Sequence, residues 1–106
     1  MTYAIVRTDS FYQAIFEIRD YLLDFTHPHD VAKVLSRIRD TVDGLMEMPT
    51  RHRRYPLPLP NNPEIRYAFA GSFIVYFIID ESLKIVSVLD VLHARRDPTF
   101  IRERLA

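Results

Sequence analysis

The 106-residue chain carries 14 basic and 14 acidic side chains, and a hydrophobic content of 48% against 26% charged excludes wholesale disorder. It contains no cysteine, so neither a disulfide framework nor thiolate chemistry is available. No apolar run approaches the roughly 18 residues needed to span a bilayer, and the N-terminus lacks the basic-then-apolar pattern of a secretion signal; a single cytoplasmic domain over residues 1–106, not attached to a membrane, is expected.

Tyr3 to Arg7 reads as a short strand ended by Thr8-Asp9-Ser10, and Ser10 with Gln13 has the spacing of a capping box. Phe11, Ile15, Ile18, Leu22 and Phe25 then recur at helical spacing, which predicts an amphipathic helix. His27-Pro28-His29 breaks it, and Asp30 is placed to cap a second helix with the stripe Val31, Leu35, Ile38, Val42, Leu45. Two such helices make an αα-hairpin whose apolar stripes pack across a sheet. His27 and His29 have a spacing open to a metal, but no carboxylate or cysteine cluster accompanies them, and a turn is the simpler reading. No metal or other cofactor is expected.

After Met48 the chain enters a stretch holding five of its seven prolines, Pro49, Pro56, Pro58, Pro60 and Pro63, which predicts an extended, irregular connection. Within it, Arg51-His52-Arg53-Arg54-Tyr55 is either a phosphate-contacting loop or a solvated segment. Leu57-Pro58-Leu59-Pro60 resembles a polyproline ligand, although a stiff connection explains it more simply.

Ile65–Ala70, Phe73–Ile79 and Leu83–Leu92 are three β-branched and aromatic runs, separated only by Gly71-Ser72 and Asp80-Glu81-Ser82, and predict three consecutive antiparallel strands. The middle run has no polar alternation, so both its faces must be covered. Simple alternation sorts the third into Ile85, Ser87, Leu89, Val91, His93 on one side and Lys84, Val86, Val88, Asp90, Leu92 on the other. Neither side is polar, and an apolar face without helices points to a partner. Asp97-Pro98 then offers a cap and a first helical proline for a terminal turn or two over Thr99 to Leu105. The assembled expectation is an α+β fold of order β-α-α-β-β-β, an antiparallel sheet with the αα-hairpin on one face.

Charge is distributed unevenly. Acidic side chains dominate through Met48, whereas from Pro49 onward Arg51, Arg53, Arg54, Arg66, Arg95, Arg96, Arg102 and Arg104 make the chain basic. Arginine recognises carboxylate or phosphate in a planar, bidentate manner, so an acidic or polyanionic partner is compatible with this half.

The order of elements, the Arg66 strand, the Gly71-Ser72 hairpin into Phe73-Ile74-Val75-Tyr76, and the string Val91-Leu92-His93-Ala94-Arg95-Arg96-Asp97 resemble the RelE/ParE superfamily of bacterial toxins over nearly the whole chain. The terminal string resembles the ParE branch in particular. The resemblance implies the toxin of a type II toxin–antitoxin pair, poisoning DNA gyrase by binding and carrying no catalytic residue. It also implies neutralisation by a short antitoxin with a DNA-binding N-terminus and an amphipathic, acidic C-terminal segment. Contact with that partner or the target is expected from Arg53, Arg54, Arg66, Arg95 and Arg96, and from Val86 and Val88 on an open sheet face. The RelE branch instead cleaves messenger RNA on the ribosome without a metal; here only Arg66, His93, Arg95 and Arg96 are available for such chemistry. Phe73 stands where that branch has a hairpin arginine, and Tyr67-Ala68-Phe69-Ala70 contains no lysine, so nuclease activity is the alternative, alongside a non-toxic binding module. His93 is expected to pack, with one ring nitrogen bonded to a nearby backbone or carboxylate group.

Overall fold

The structure, a computed structural model, describes residues 2–56 and 64–105; the Leu57-Pro58-Leu59-Pro60 segment lies outside the described residues. Strand β1 (Ala4–Arg7) leads into helices α1 (Asp9–Leu23) and α2 (Pro28–Gly44). A 3₁₀ turn at Pro49–Arg51 precedes β2 (Arg66–Ala70), β3 (Phe73–Asp80) and β4 (Ile85–His93), and α3 (Pro98–Leu105) follows. The expected α+β order is present. The sheet runs β1-β4-β3-β2, with β2–β3 and β3–β4 antiparallel, but β1 joins β4 in parallel and makes the sheet mixed. β3 occupies one side of β4, leaving the other to β1, and the two intervening helices supply the long crossover that parallel pairing needs.

Local chemistry sets several boundaries differently from the sequence reading. Thr8, not Ser10, caps α1: its Oγ1 accepts the Phe11 N–H (3.2 Å) and donates to the Val88 carbonyl (2.7 Å), so one hydroxyl ends β1 and starts the helix. His27, not Asp30, caps α2, its Nδ1 accepting the His29 N–H at 3.1 Å with Pro28 in the first helical position. Gly71 sits at φ +62°, and a Cβ there would stand 3.0 Å from Arg37 Cδ, so both conformation and space call for glycine. The last hairpin is wider than expected. Asp80 accepts the Leu83 N–H and the Ser82 hydroxyl at 3.0 Å each, and Lys84 takes a left-handed φ of 54°. Leu83 is therefore exposed in a turn, and β4 begins at Ile85.

The helical hairpin packs with α1 over β4 and α2 over β2 and β3. Phe11, Ala14, Ile38, Val42 and Leu45 descend onto Ala68, Val75, Phe77, Val86, Val88 and Val91. Val75, Phe77, Val86 and Val88 have 0% exposure, each full burial contributing about 1.5–3 kcal/mol. Val86 and Val88, expected on an open face, thus lie beneath the helices and cannot meet a partner. Phe25, expected to complete the α1 stripe, lies beyond the helix end and is 72% exposed.

The misassignment along β4 has a local cause. Tyr76 pairs with Asp90 but Phe77 pairs with Val88, so Leu89 is an extra residue in a β-bulge. The bulge shifts the alternation by one: Val86, Val88 and Val91 share the helical face, whereas Leu89 and Leu92 pack on the other. That second face has its own core of Ile65, Ile74, Tyr76 and Leu92, roofed by Ile101 and Leu105 of α3, with Tyr55 against it. The face that seemed to need a partner is thus partly covered by the chain's own terminal helix.

The bulge also delivers Asp90 to the second face, where it is 3% exposed. Arg104 Nε and Nη2 donate to its two oxygens at 3.1 and 3.2 Å, and Asp90 Oδ1 accepts the Val91 N–H at 2.9 Å. Arg104 Nη1 reaches Glu17 of α1 at 3.4 Å. A single guanidinium therefore ties α3, β4 and α1 together, and the Asp90 hydrogen bonds foremost push its pKa up. Beside it, burial pushes the Tyr76 phenol up to about 12, helped by Tyr55, Asp90 and Tyr67.

Replacing Arg104 by Met leaves Asp90 buried without its cation and should cost about 2–3 kcal/mol in denaturant unfolding. Asp90→Asn added to Arg104→Met should recover part of that loss, because the amide oxygen can still accept the Val91 N–H without a buried charge. Tyr76 makes a separate prediction. Its folded pKa lies above the ordinary tyrosine value of 10, so its contribution to stability is complete below pH 10 and is lost as pH rises towards 12. Stability measured across that window should fall less steeply in Tyr76→Phe.

Candidate functional site

The cationic side chains singled out in the sequence fall into two groups at different corners of the sheet. The first surrounds the start of β2. Arg66 Nη1 donates to the backbone carbonyls of Thr50 (3.1 Å) and His52 (2.7 Å), so its guanidinium holds the 3₁₀ turn in place. Beyond that turn, the Tyr55 N–H bonds the Ile65 carbonyl (2.6 Å) and the Tyr67 N–H bonds the Arg53 carbonyl (3.0 Å). Arg53-Arg54-Tyr55 thereby lies along the outer edge of β2, with both arginines exposed. Arg54 meets Glu64 at 3.8 Å in a solvent-exposed pair that contributes little. His52, edge-on to Phe77 with ring centroids 5.7 Å apart, has its pKa lowered by burial and then by Arg51 and Arg66, which favours the neutral imidazole.

The second group stands where β4 ends. His93 is half-buried against Phe73, ring centroids 5.3 Å apart, and its Nδ1 accepts the Arg95 N–H at 3.0 Å. The imidazole therefore shapes the turn into α3. Arg95 and Arg96 are exposed, and among the described residues neither belongs to an ion pair. Arg96 lies 4.5 Å above the Phe100 ring. A groove of about 380 Å³ opens here between α1 and α3, with Tyr21, Val91, His93, Arg95 and Arg96 in its lining.

The two groups do not form one reaction centre. Arg66 pairs through β3 with Phe77, whereas His93 pairs with Phe73, so they are four residues apart along the sheet and two strands apart across it. That corresponds to roughly 16 Å between backbones. Among the described residues, no cluster of three His, Cys, Asp or Glu side chains is arranged to hold a metal, and no helix is long and apolar enough to cross a membrane. Sequence reading missed Arg104, Glu17, Tyr21 and Phe100, which surround the same groove. The available signal was Asp90, a carboxylate inside an apolar strand that demanded a cation from elsewhere.

The sequence matches the family described as the ParE toxin of type II toxin-antitoxin system, parDE, over residues 5–98. Among solved structures, the chain is similar to one in the toxin-antitoxin complex RelBE2 from Mycobacterium tuberculosis, with 19% identity and a TM-score of 0.60 over 88% of this chain and 99% of that one. The chromosomal ParDE TA system from P. aeruginosa matches at 16% identity and a TM-score of 0.71 over 87% and 96%. The archaeal RelE-RelB complex from Pyrococcus horikoshii OT3 matches at 15% identity and a TM-score of 0.61 over 92% and 100%. At these identities the structural likeness concerns the fold alone, and no curated protein sequence matches the chain. The family match runs from within β1 to the first residue of α3, and on that ground the chain belongs to the ParE toxin family of type II toxin–antitoxin systems.

Proposed function

We propose that the protein arrests growth by binding DNA gyrase in the cytoplasm, without chemistry of its own, and that a cognate antitoxin neutralises it. The observation that carries this reading is the separation of the candidate catalytic groups. Cleavage of RNA without a metal needs a base, a proton donor and cations converging on one phosphate within hydrogen-bond reach. Arg66 is instead bound to two backbone carbonyls, and His93 has one ring nitrogen committed to the Arg95 N–H. Phe73, where an arginine would be needed, is packed in the core. An antitoxin partner is supported by the family match and by the RelBE2 likeness, itself a toxin-antitoxin complex. Exposed Arg53, Arg54, Arg95 and Arg96 are the cations offered to such partners.

Purified protein should inhibit gyrase supercoiling, and its induced expression should halt DNA replication and raise a DNA-damage response. A protein that leaves gyrase untouched and cuts ribosome-bound message would instead be the RelE-like nuclease. His93→Gln should lower stability by about 1 kcal/mol, the typical cost of a lost hydrogen bond, while leaving toxicity detectable. Unfolding curves beside a growth assay would check both halves; a folded but harmless variant would return His93 to a direct role.

A further inference from the structure

Strand β1 accompanies only part of β4. Its last register pair is Arg7 with Val88, after which Thr8 turns the chain into α1, so β4 from Leu89 to His93 has no strand on that side. An antiparallel ladder turns alternate residues away from the partner strand. The Ala94 N–H bonded to the Ser72 carbonyl (2.9 Å) sets the phase: Leu92 bonds towards β3, and the polar backbone groups of Val91 and His93 face outward. Two of those four groups are satisfied internally, the Val91 N–H by Asp90 (2.9 Å) and the His93 carbonyl by the Arg96 N–H (3.0 Å). Outside the ladder, no described group bonds the Val91 carbonyl or the His93 N–H. Both residues line the groove between α1 and α3, together with Ile18, Tyr21, Arg95 and Arg96.

We propose that this bare strand edge and its groove receive an extended, acidic segment of the antitoxin, an inference that rests on the antitoxin reading above. The segment's main chain bonds the Val91 carbonyl and the His93 N–H in line with β1, an apolar side chain enters the groove beside Ile18 and Tyr21, and carboxylates meet Arg95 and Arg96. Charge complementarity selects the acidic occupant. Asp90 and Glu17 are already engaged by Arg104, so the two unpaired arginines leave the groove positive. The unused main-chain donor and acceptor select an extended occupant, because a helix consumes its own backbone groups internally.

The probe is a fluorescein-labelled twelve-residue peptide of alternating leucine and glutamate, titrated into the full chain by anisotropy and followed by amide NMR shifts. Saturable binding is expected, with the largest shifts at Val91 and His93. Affinity should be roughly tenfold lower for each of Arg95→Glu and Arg96→Glu, reduced by Tyr21→Ala, and weaker at high salt. The same peptide with lysine in place of glutamate should not bind. Shifts confined to the Arg53-Arg54 segment or the outer surface of α1, or unchanged affinity in all three variants, would overturn the proposal. Coexpression with the protein encoded beside this gene separates the two inferences. Neutralisation undiminished in the triple variant rejects the groove alone, whereas no complex with the unaltered chain rejects the antitoxin reading itself.

Discussion

Asp90 is an ionisable group placed in the middle of an apolar strand, 3% exposed, and much of the structure follows from how it is satisfied. A carboxylate in that position is tolerated only if its charge is paired and its remaining lone pairs are hydrogen-bonded. The β-bulge at Leu89 turns it to the second sheet face, α3 brings Arg104 to it in a two-point contact, and the next N–H along β4 occupies one oxygen. Each of these would be unfavourable alone. Without the bulge, strict alternation would put Asp90 beneath α1 among valines, with no cation at hand. Without Arg104, α3 would be held only by the short apolar contact of Ile101 and Leu105.

The same constraint governs the exposed side of β4. Where β1 stops, a strand edge is left that could template further pairing, a hazard that natural sheets reduce with charge and irregularity. Here the Asp90 carboxylate covers the Val91 N–H, while the guanidinium of Arg104 spans from Asp90 to Glu17 of α1. One donor and one acceptor remain, too few for uncontrolled strand addition, yet enough to give a specific segment its register. The bulge, the ion cluster and the early end of β1 at Thr8 thus act on one stretch of five residues.

How much of this was legible in the sequence depended on whether the signal was periodic or positional. The three antiparallel strands, the αα-hairpin and the terminal helix declared themselves through apolar spacing, Gly71 and Pro98, and all are present. The failures came from single residues that interrupt a period. Leu89 is indistinguishable by composition from any other strand leucine, so the alternation was carried through it and Val86 and Val88 were sent to the wrong face. Thr8 outcompeted Ser10 as a cap because its hydroxyl also reaches the Val88 carbonyl, a tertiary contact 80 positions away in the chain. The α1 stripe was read as one narrow face, whereas exposed Tyr12, Phe16, Tyr21 and Leu23 extend apolar character around more of the helix.

The site was less legible than the fold because side-chain type does not state what a side chain is bonded to. Arg66 and Arg95 are chemically identical and both lie in the basic half, yet the first completes the hydrogen bonding of a turn while the second stands free of ion pairs. Removing Arg66 from service as a cation has a structural origin: the 3₁₀ turn at Pro49–Arg51 leaves carbonyls at Thr50 and His52 beyond any regular ladder, and β2 begins close enough for a guanidinium to reach both. A buried or half-buried backbone acceptor is costly to leave unpaired, so the arginine is more valuable to the fold there than to a ligand. At the other corner the turn after β4 is closed by His93 Nδ1, a neutral acceptor, and that leaves the arginines following it unclaimed. What distinguishes a structural from an available cation in this protein is therefore whether a histidine or an arginine closes the neighbouring turn.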